Sequence, residues 1–454
     1  MRYERYGKYK PQPGVWFDEL PDHWSCYRTK VSVASCLNGA WGIEQQGDSG
    51  DLPCIRVADF DRENLCAAIP ENPTVRNYTE RDIEKRLLSR NDLLLEKSGG
   101  GDQQPVGAVV LYNDDHPAIC SNFIARMRLK NEMNASFWRY VHYGCYCSGV
   151  STRSIKQTSG IQNLDQHQYL NELSPFPPID EQEAIAAFLD RETAKIDALI
   201  TEQQRLIELL QEKRQAVISH AVTKGLNPYA PMRDSGVEWL GEVPEGWRVM
   251  GLTKCIGPVV DYRGKTPAKG ESGMRLVTAK NIKNGKIDYD ASEEYVDPSE
   301  AEALLQRGRP QQGDLLFTME APLGQVAIVD REDIALAQRV VKFRGIPCTV
   351  RTHYLKWWLM GTHCQAQLQS MSTGSTALGL KASRLSAIKC LIPPLTEQES
   401  IQDYLASTER ELDNASSIAG SLIGLLQERR SALISAAVTG QIDVRGLVTD
   451  EVAT

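Results

Sequence analysis

The sequence predicts an α+β fold: two globular, mixed β-rich units separated by two long helices that pair antiparallel as a coiled coil, in a pseudo-twofold, circular order. Three observations lead there. The stretch "PPIDEQEAI" at 177 to 185 returns as "PPLTEQESI" at 393 to 401. After each copy, apolar residues step by three and four, the spacing of one helix face, for about ten helical turns. Fragments ahead of the first copy are echoed, in the same order, ahead of the second.

The first globular unit occupies residues 1–176 and the second, with its linker, residues 225–392. "WFDELPDHW" at 16 to 24 matches "WLGEVPEGW" at 239 to 247, "CIRVADFDRENL" at 54 to 65 matches "RLVTAKNIKNGKI" at 275 to 287, and "RNDLLL" at 90 to 95 matches "QGDLLF" at 312 to 317. Short apolar runs such as "VGAVVLY" and "GQVAIV" read as strands within these units. The surroundings of the matched islands differ, so the units share a framework and not a surface.

The helices are expected over 177–224 and 393–440, with a tail at 441–454. Aligned without gaps, 177–223 and 393–439 agree at about 21 of 47 positions. Asp180 with Glu183, and Thr396 with Glu399, have the spacing of a capping box, and Gly225 and Gly440 close the two ends. Between these signals Ile185, Leu189, Ile196, Leu199, Leu206, Leu210 and Val217 form a heptad seam, answered by Ile401, Leu405, Leu412, Ala415, Leu422, Leu426 and Leu433. Polar residues interrupt it at Glu192, Gln203 and Lys213, and Thr408, Ala419 and Arg429 weaken the second copy. Such interruptions fix register or leave room for partner helices. At 1.5 Å per residue each rod is roughly 64 Å long, too long to bury its stripe on one small domain, so the rods pair with each other. The Gly/Pro-rich joint "KGLNPYAPMRDSG" turns the chain from the first rod into the second unit.

The formal charge of -8 argues at first against a nucleic-acid partner. Each rod segment nets -4 (nine acids against five bases, then seven against three), so the rest of the chain nets zero. The globular units are therefore free to carry basic loops. Candidate DNA contacts in the first unit are Lys97, Ser98, Gln103, Gln104, Ser151, Arg153, Lys156, Gln157 and Asn163. In the second they are Arg263, Lys265, Thr266, Lys269, Lys280, Asn281, Lys283, Ser372, Thr373, Ser375, Thr376 and Lys381. Arg, Lys, Gln and Asn supply the forked donors and acceptors that read base edges, and small hydroxyl residues suit phosphates.

Other classes find less support. The eleven cysteines are irregularly spaced, without a CxxC, and are expected reduced. Cys145, Cys147 and His142 do not make a tetrahedral zinc set, so no metal site is expected. No stretch approaches the roughly 18 apolar residues of a membrane span, and a cytoplasmic location is expected. "KSGGG" at 97 to 101 is not a P-loop. No [DN]-P-P-[YFW] tetrapeptide grips a flipped adenine, no F-x-G-x-G loop holds a methyl donor, and no lysine follows an acid by two residues as a nuclease half-motif requires.

With the helix starts "PPIDEQEAIAAFLD" and "PPLTEQESIQDYLA", the ends "LLQEKRQAVISHAVTKG" and "LLQERRSALISAAVTGQ", and "TAKNIKNGKID", the chain resembles the specificity subunit of type I restriction-modification systems. The resemblance spans nearly the whole chain. It implies a non-catalytic, sequence-specific reader of double-stranded DNA whose two target-recognition domains each read half of a bipartite, asymmetric site. It also implies that the paired helices set the spacer and dock two methyltransferase subunits, with two restriction subunits joining in complexes that cleave. S-adenosylmethionine, ATP and Mg then belong to the partners, and this subunit needs no cofactor. Two alternatives stay open: a coiled-coil scaffold whose heads bind proteins, and an enzyme with an unrecognised site.

Overall fold

A computed structural model describes residues 3–12, 16–101, 103–157, 160–262, 269–373 and 378–447. The chain divides into two compact units, Met1–Glu202 with Leu422–Thr454, and Gln203–Ser421. Each long helix therefore contributes one part to each unit.

In the first unit a six-stranded sheet runs in the order Val33–Asn38, Ile124–Leu129, Leu93–Glu96, Val109–Tyr112, Cys66–Ala67, Phe60–Asp61. The strand Leu93–Glu96 is apolar on both faces, and the structure shows why. Leu93 and Leu95 point into the core that receives the helix Ala135–Cys147, whereas Leu94 points into a second core with Val110 and Tyr112. Alternation along the strand thus serves two apolar layers. The second unit repeats this arrangement: in Leu315–Thr318, Leu315 and Phe317 join the core with helix Thr352–Met360, and Leu316 faces Ala327 and Val340. In each unit a short parallel pair, Asp51–Ile55 with Ile119–Cys120 and Met274–Val277 with Ile334–Leu336, completes the framework. The echoed fragments are thus structural equivalents.

The rods span Ile179–Lys224 and Leu395–Val438. In the first unit Ile185, Leu189 and Ile196 share a core with Leu426, Leu433, Ile434 and Val438. In the second, Ile218 and Val222 share a core with Ile401 and Leu405. The start of each helix packs on the end of the other, which is the antiparallel order.

Two expectations about the rods are corrected. Asp180 and Thr396 are not the N-caps: the helices begin at Ile179 and Leu395, directly after Pro178 and Pro394, which puts both residues inside the first turn. The seam is also narrower than expected, because Leu199, Leu206 and Leu422 lie 51%, 41% and 39% exposed. Burial follows one seven-residue stripe, Leu405, Leu412, Ala419, Leu426 and Leu433, in which Ala419 is a seam residue and not an interruption. The second apolar column is therefore only partly covered. The closing glycines behave as expected, with φ of +75° at Gly225 and +70° at Gly440.

One buried group gives the first unit a pH dependence. His142, on Ala135–Cys147, is enclosed, its Nδ1 is 2.7 Å from the Tyr169 hydroxyl and its Nε2 has no partner among the described residues. Burial lowers its pKa from 6.5 to about 3. Between those values the unfolded chain binds a proton that the folded chain refuses, so stability falls as pH drops below 6.5, by up to about 1.4 kcal/mol per pH unit. His142→Gln is expected to reduce the slope of unfolding free energy against pH by about one proton in that window. Denaturant titrations of both proteins at several pH values measure it.

Candidate nucleic-acid interface

The repeated "EQ" dipeptide is the joint between rod and head. In the first unit Glu181 accepts from Trp24 Nε1 at 3.0 Å and Tyr6 Oη at 2.8 Å, and lies 2.6 Å from His23 Nε2. Gln182 donates to the carbonyl of Pro177 at 3.0 Å and accepts from the backbone N–H of Asn134 at 3.1 Å. In the second unit Glu397 accepts from Trp247 Nε1 at 2.9 Å, and Gln398 donates to Pro393 at 2.8 Å and accepts from Arg351 N at 2.8 Å. Each tryptophan also lies against the glycine that ends the other rod: a Cβ on Gly440 would come 3.2 Å from Trp24, and one on Gly225 3.3 Å from Trp247. The proline-punctuated motif occurs twice because two heads are pinned to two helix starts by the same bonds.

Cross-rod ion pairs repeat at the same offset. Arg430 Nε bonds Asp197 at 2.9 Å in the first unit, and Arg214 bonds Asp413 in the second. Each pair also holds a hairpin of its own head, through Arg430 to the carbonyl of Glu63 and through Asp413 to Lys286. These contacts fix the axial position at which each head sits on its stretch of rod.

In the first unit two separate loops meet in one ribbon. Ser98–Gly99, Gln162–Leu164 and Ile155–Gln157 form a three-stranded antiparallel sheet that aligns Ser98, Asn163 and Lys156. Ser98 Oγ lies 2.6 Å from Asn163 Oδ1, and Leu164 N bonds the carbonyl of Lys97 at 2.8 Å. Lys156, Gln157, Asn163, Arg153, Gln103 and Gln104 are exposed. Lys156 is held at 2.6 Å by Asp165, whose carboxyl is thereby kept low, at about 2. Beneath the ribbon, burial raises the Glu96 carboxyl even though Arg62 lies 2.8 Å away. Ser151 is a correction: it is fully buried under Gly107 and faces no solvent.

The second unit uses the same attachment with different residues. Leu380 N bonds the carbonyl of Met319 at 2.9 Å, as Leu164 bonds Lys97, and Thr373 pairs with Gly379. This places Ser372, Thr373 and exposed Lys381 at the end of Leu315–Thr318. Lys283 is exposed on the hairpin that Lys286 ties to the second rod, and Lys280 is exposed on the 3-10 turn Ala279–Asn281 just before it. Asn281 is a correction. It is 1% exposed and spends its side chain on Thr278 N, Asp288 O and Ser292 O, the same local cap that Asp59 makes on Arg56. Arg263, Lys265, Thr266, Ser375 and Thr376 lie outside the described residues, as does the side chain of Lys269.

Asn38 and Arg86, which the sequence reading did not single out, lie beside the ribbon. Asn38 accepts from Lys97 Nζ at 2.6 Å and, through its carbonyl, from Arg86 Nε at 2.9 Å, so the ribbon is flanked by a second cationic element. The available signal for Asn38 was the glycine-rich segment "NGAWGIEQQGDSG" that it opens, at 38 to 50.

A family model for the type I restriction modification DNA specificity domain matches residues 34–210 and 263–419. The chain is 24% identical over 371 residues to the MjaVIII specificity subunit of Methanocaldococcus jannaschii, covering 80% of this chain and 81% of that one. It is 23% identical over 403 residues to the EcoBI specificity subunit of Escherichia coli, covering 85% and 80%. Among solved structures, a chain from a study of complex assembly and conformational transition of the type I R-M system superposes with a TM-score of 0.63 at 16% identity, over 93% of this chain and 99% of that one. The HsdS subunit of Thermoanaerobacter tengcongensis gives 0.51 at 14% identity, over 93% and 98%. With two unlike heads pinned by one repeated joint, and a family match covering both, the chain belongs to the DNA specificity subunits of type I restriction-modification systems.

Proposed function

We propose that each unit reads one half of an asymmetric, bipartite duplex site, while the paired helices set the unread spacer and dock two methyltransferase subunits. The observation that carries this is the contrast between framework and surface. The Trp–Glu joint, the Gln bridge and the Arg–Asp pair recur in both units, but the residues at the reading ends do not. Identical joints with unlike faces suit a molecule that must hold two different readers to one standard. In this reading S-adenosylmethionine, ATP and Mg are bound by partner subunits, and restriction subunits join where cleavage occurs.

Exchange of residues 240–390 for the matching segment of another family member tests it. One half of the methylated motif is expected to change while the other half and the spacer persist. A change in both halves, or in neither, refutes the modular reading. A protein-binding scaffold makes a different prediction: its affinity for duplex DNA would not fall steeply with salt, as phosphate contacts require.

A further inference from the structure

The first unit exposes an aromatic and cationic pair that the family match does not single out. Trp41 is 41% exposed, although an indole is ordinarily among the most buried side chains. The Arg76 guanidinium lies 4.4 Å over its ring. Gly42, at φ +66°, makes this possible, since a Cβ there would meet the carbonyl of Asn77 at 2.6 Å and hold the loop off the strand Val75–Asn77. The loop is fastened on that strand through Ile43 and Asn77, whose backbones exchange bonds of 3.0 and 3.1 Å.

Charge bookkeeping within the loop leaves the cation unspent. Of the acids here Glu44 is exposed, while Asp48 and Asp51 are consumed locally: Asp51 accepts from Gln46 N and Gly47 N, Asp48 from Gly50 N, and both from Asn77 Nδ2. Arg76 makes no side-chain hydrogen bond or ion pair among the described residues; its Nε is enclosed without a partner, which leaves the two terminal nitrogens as its outward donors. At the loop's base sits Asn38, which holds Lys97 of the candidate ribbon and Arg86. The loop follows Val33–Asn38, the strand beside Ile124–Leu129.

Resting on the DNA-reading function above, we infer that the stacked Trp41–Arg76 pair is a duplex-DNA contact of the first unit, Arg76 donating to a phosphate and the Trp41 ring lying against the adjoining sugar at the groove wall. A guanidinium stacked on one face, with its Nε enclosed, still presents its two terminal NH2 groups to a phosphate. An exposed aromatic plane suits the apolar faces of nucleotides. The contact would add affinity and orient the ribbon over the first half-site.

The test uses the full chain and duplexes with a randomised centre, selected for binding and sequenced, with affinity then measured against salt. Trp41→Ala is expected to weaken binding roughly tenfold and Trp41→Phe to restore most of it. Arg76→Gln is expected to lower the salt slope by about one. Because Arg76→Gln removes no core packing, it decides the matter if Trp41→Ala also lowers the melting temperature. If both keep wild-type affinity and slope while Lys97→Ala weakens binding, the Trp41–Arg76 contact is wrong and the DNA-reading function stands. If the wild-type chain itself selects no sequence and shows no salt dependence, both fall together.

Discussion

Asp314→Ala is expected to destabilise the second unit by about 3–5 kcal/mol, among the largest effects of any single change in the chain. Asp314 is 3% exposed and accepts from Lys342 Nζ at 2.7 Å, from Arg344 and from the backbone N–H of Gln311 at 2.9 Å. Burial by itself would raise this carboxyl; the ammonium and guanidinium override it and hold it below the ordinary carboxylate range. Removing the anion leaves Lys342 buried against nothing, on a strand that pairs with Leu315–Thr318 at the centre of the sheet. The loss comes from that orphaned charge, not from the modest net value of an intact pair. Replacing all three side chains together should therefore cost less than replacing Asp314 alone. Denaturant midpoints of the single and triple variants measure the difference. A triple variant less stable than Asp314→Ala would show that the pair itself, and not the orphan, carries the stability.

Trp247→Ala is expected to cost a further roughly 3–5 kcal/mol in the same unit, through a cavity where rod and head meet. The indole is 1% exposed, lies beside the left-handed Gly225, and satisfies Glu397. Trp247→Phe keeps a six-membered ring but loses the N–H and the outer indole atoms beside Gly225, so it should cost less than Trp247→Ala, about 1–3 kcal/mol. Because the joint ties a helix start to a helix end, Trp247→Ala should also loosen amides near Glu397 and Gly225, which hydrogen exchange reads directly. Protection there equal to wild type would mean that the joint is not what holds the head to its rod. Trp24 makes the matching bond to Glu181 in the first unit, where Tyr6 and His23 serve the carboxylate as well. Glu181, more deeply buried than Glu397, loses more hydration for the same charge, and the extra donors offset that loss.

Sequence by itself determined the duplication, the helix lengths and the closing glycines. These are local: periodicity, proline and glycine act within a few residues, and 21 identities in 47 positions need no coordinates to count. It also located "RNDLLL" and "QGDLLF" as matched elements, without showing that Asp92 and Asp314 are matched anchors for Arg128 and for Lys342 with Arg344. Tertiary structure decided the rest. Leu199 and Leu206 have the spacing of seam residues but face outward, because burial depends on where a partner surface stops. Asn281 and Ser151 have the chemistry of DNA contacts, but their polar atoms are turned inward or enclosed. Trp41 and Arg76, 35 residues apart, form a pair only because a glycine lets one loop lie against a distant strand. Which side of a residue meets solvent is settled by contacts between segments far apart in the chain, and no local pattern encodes them.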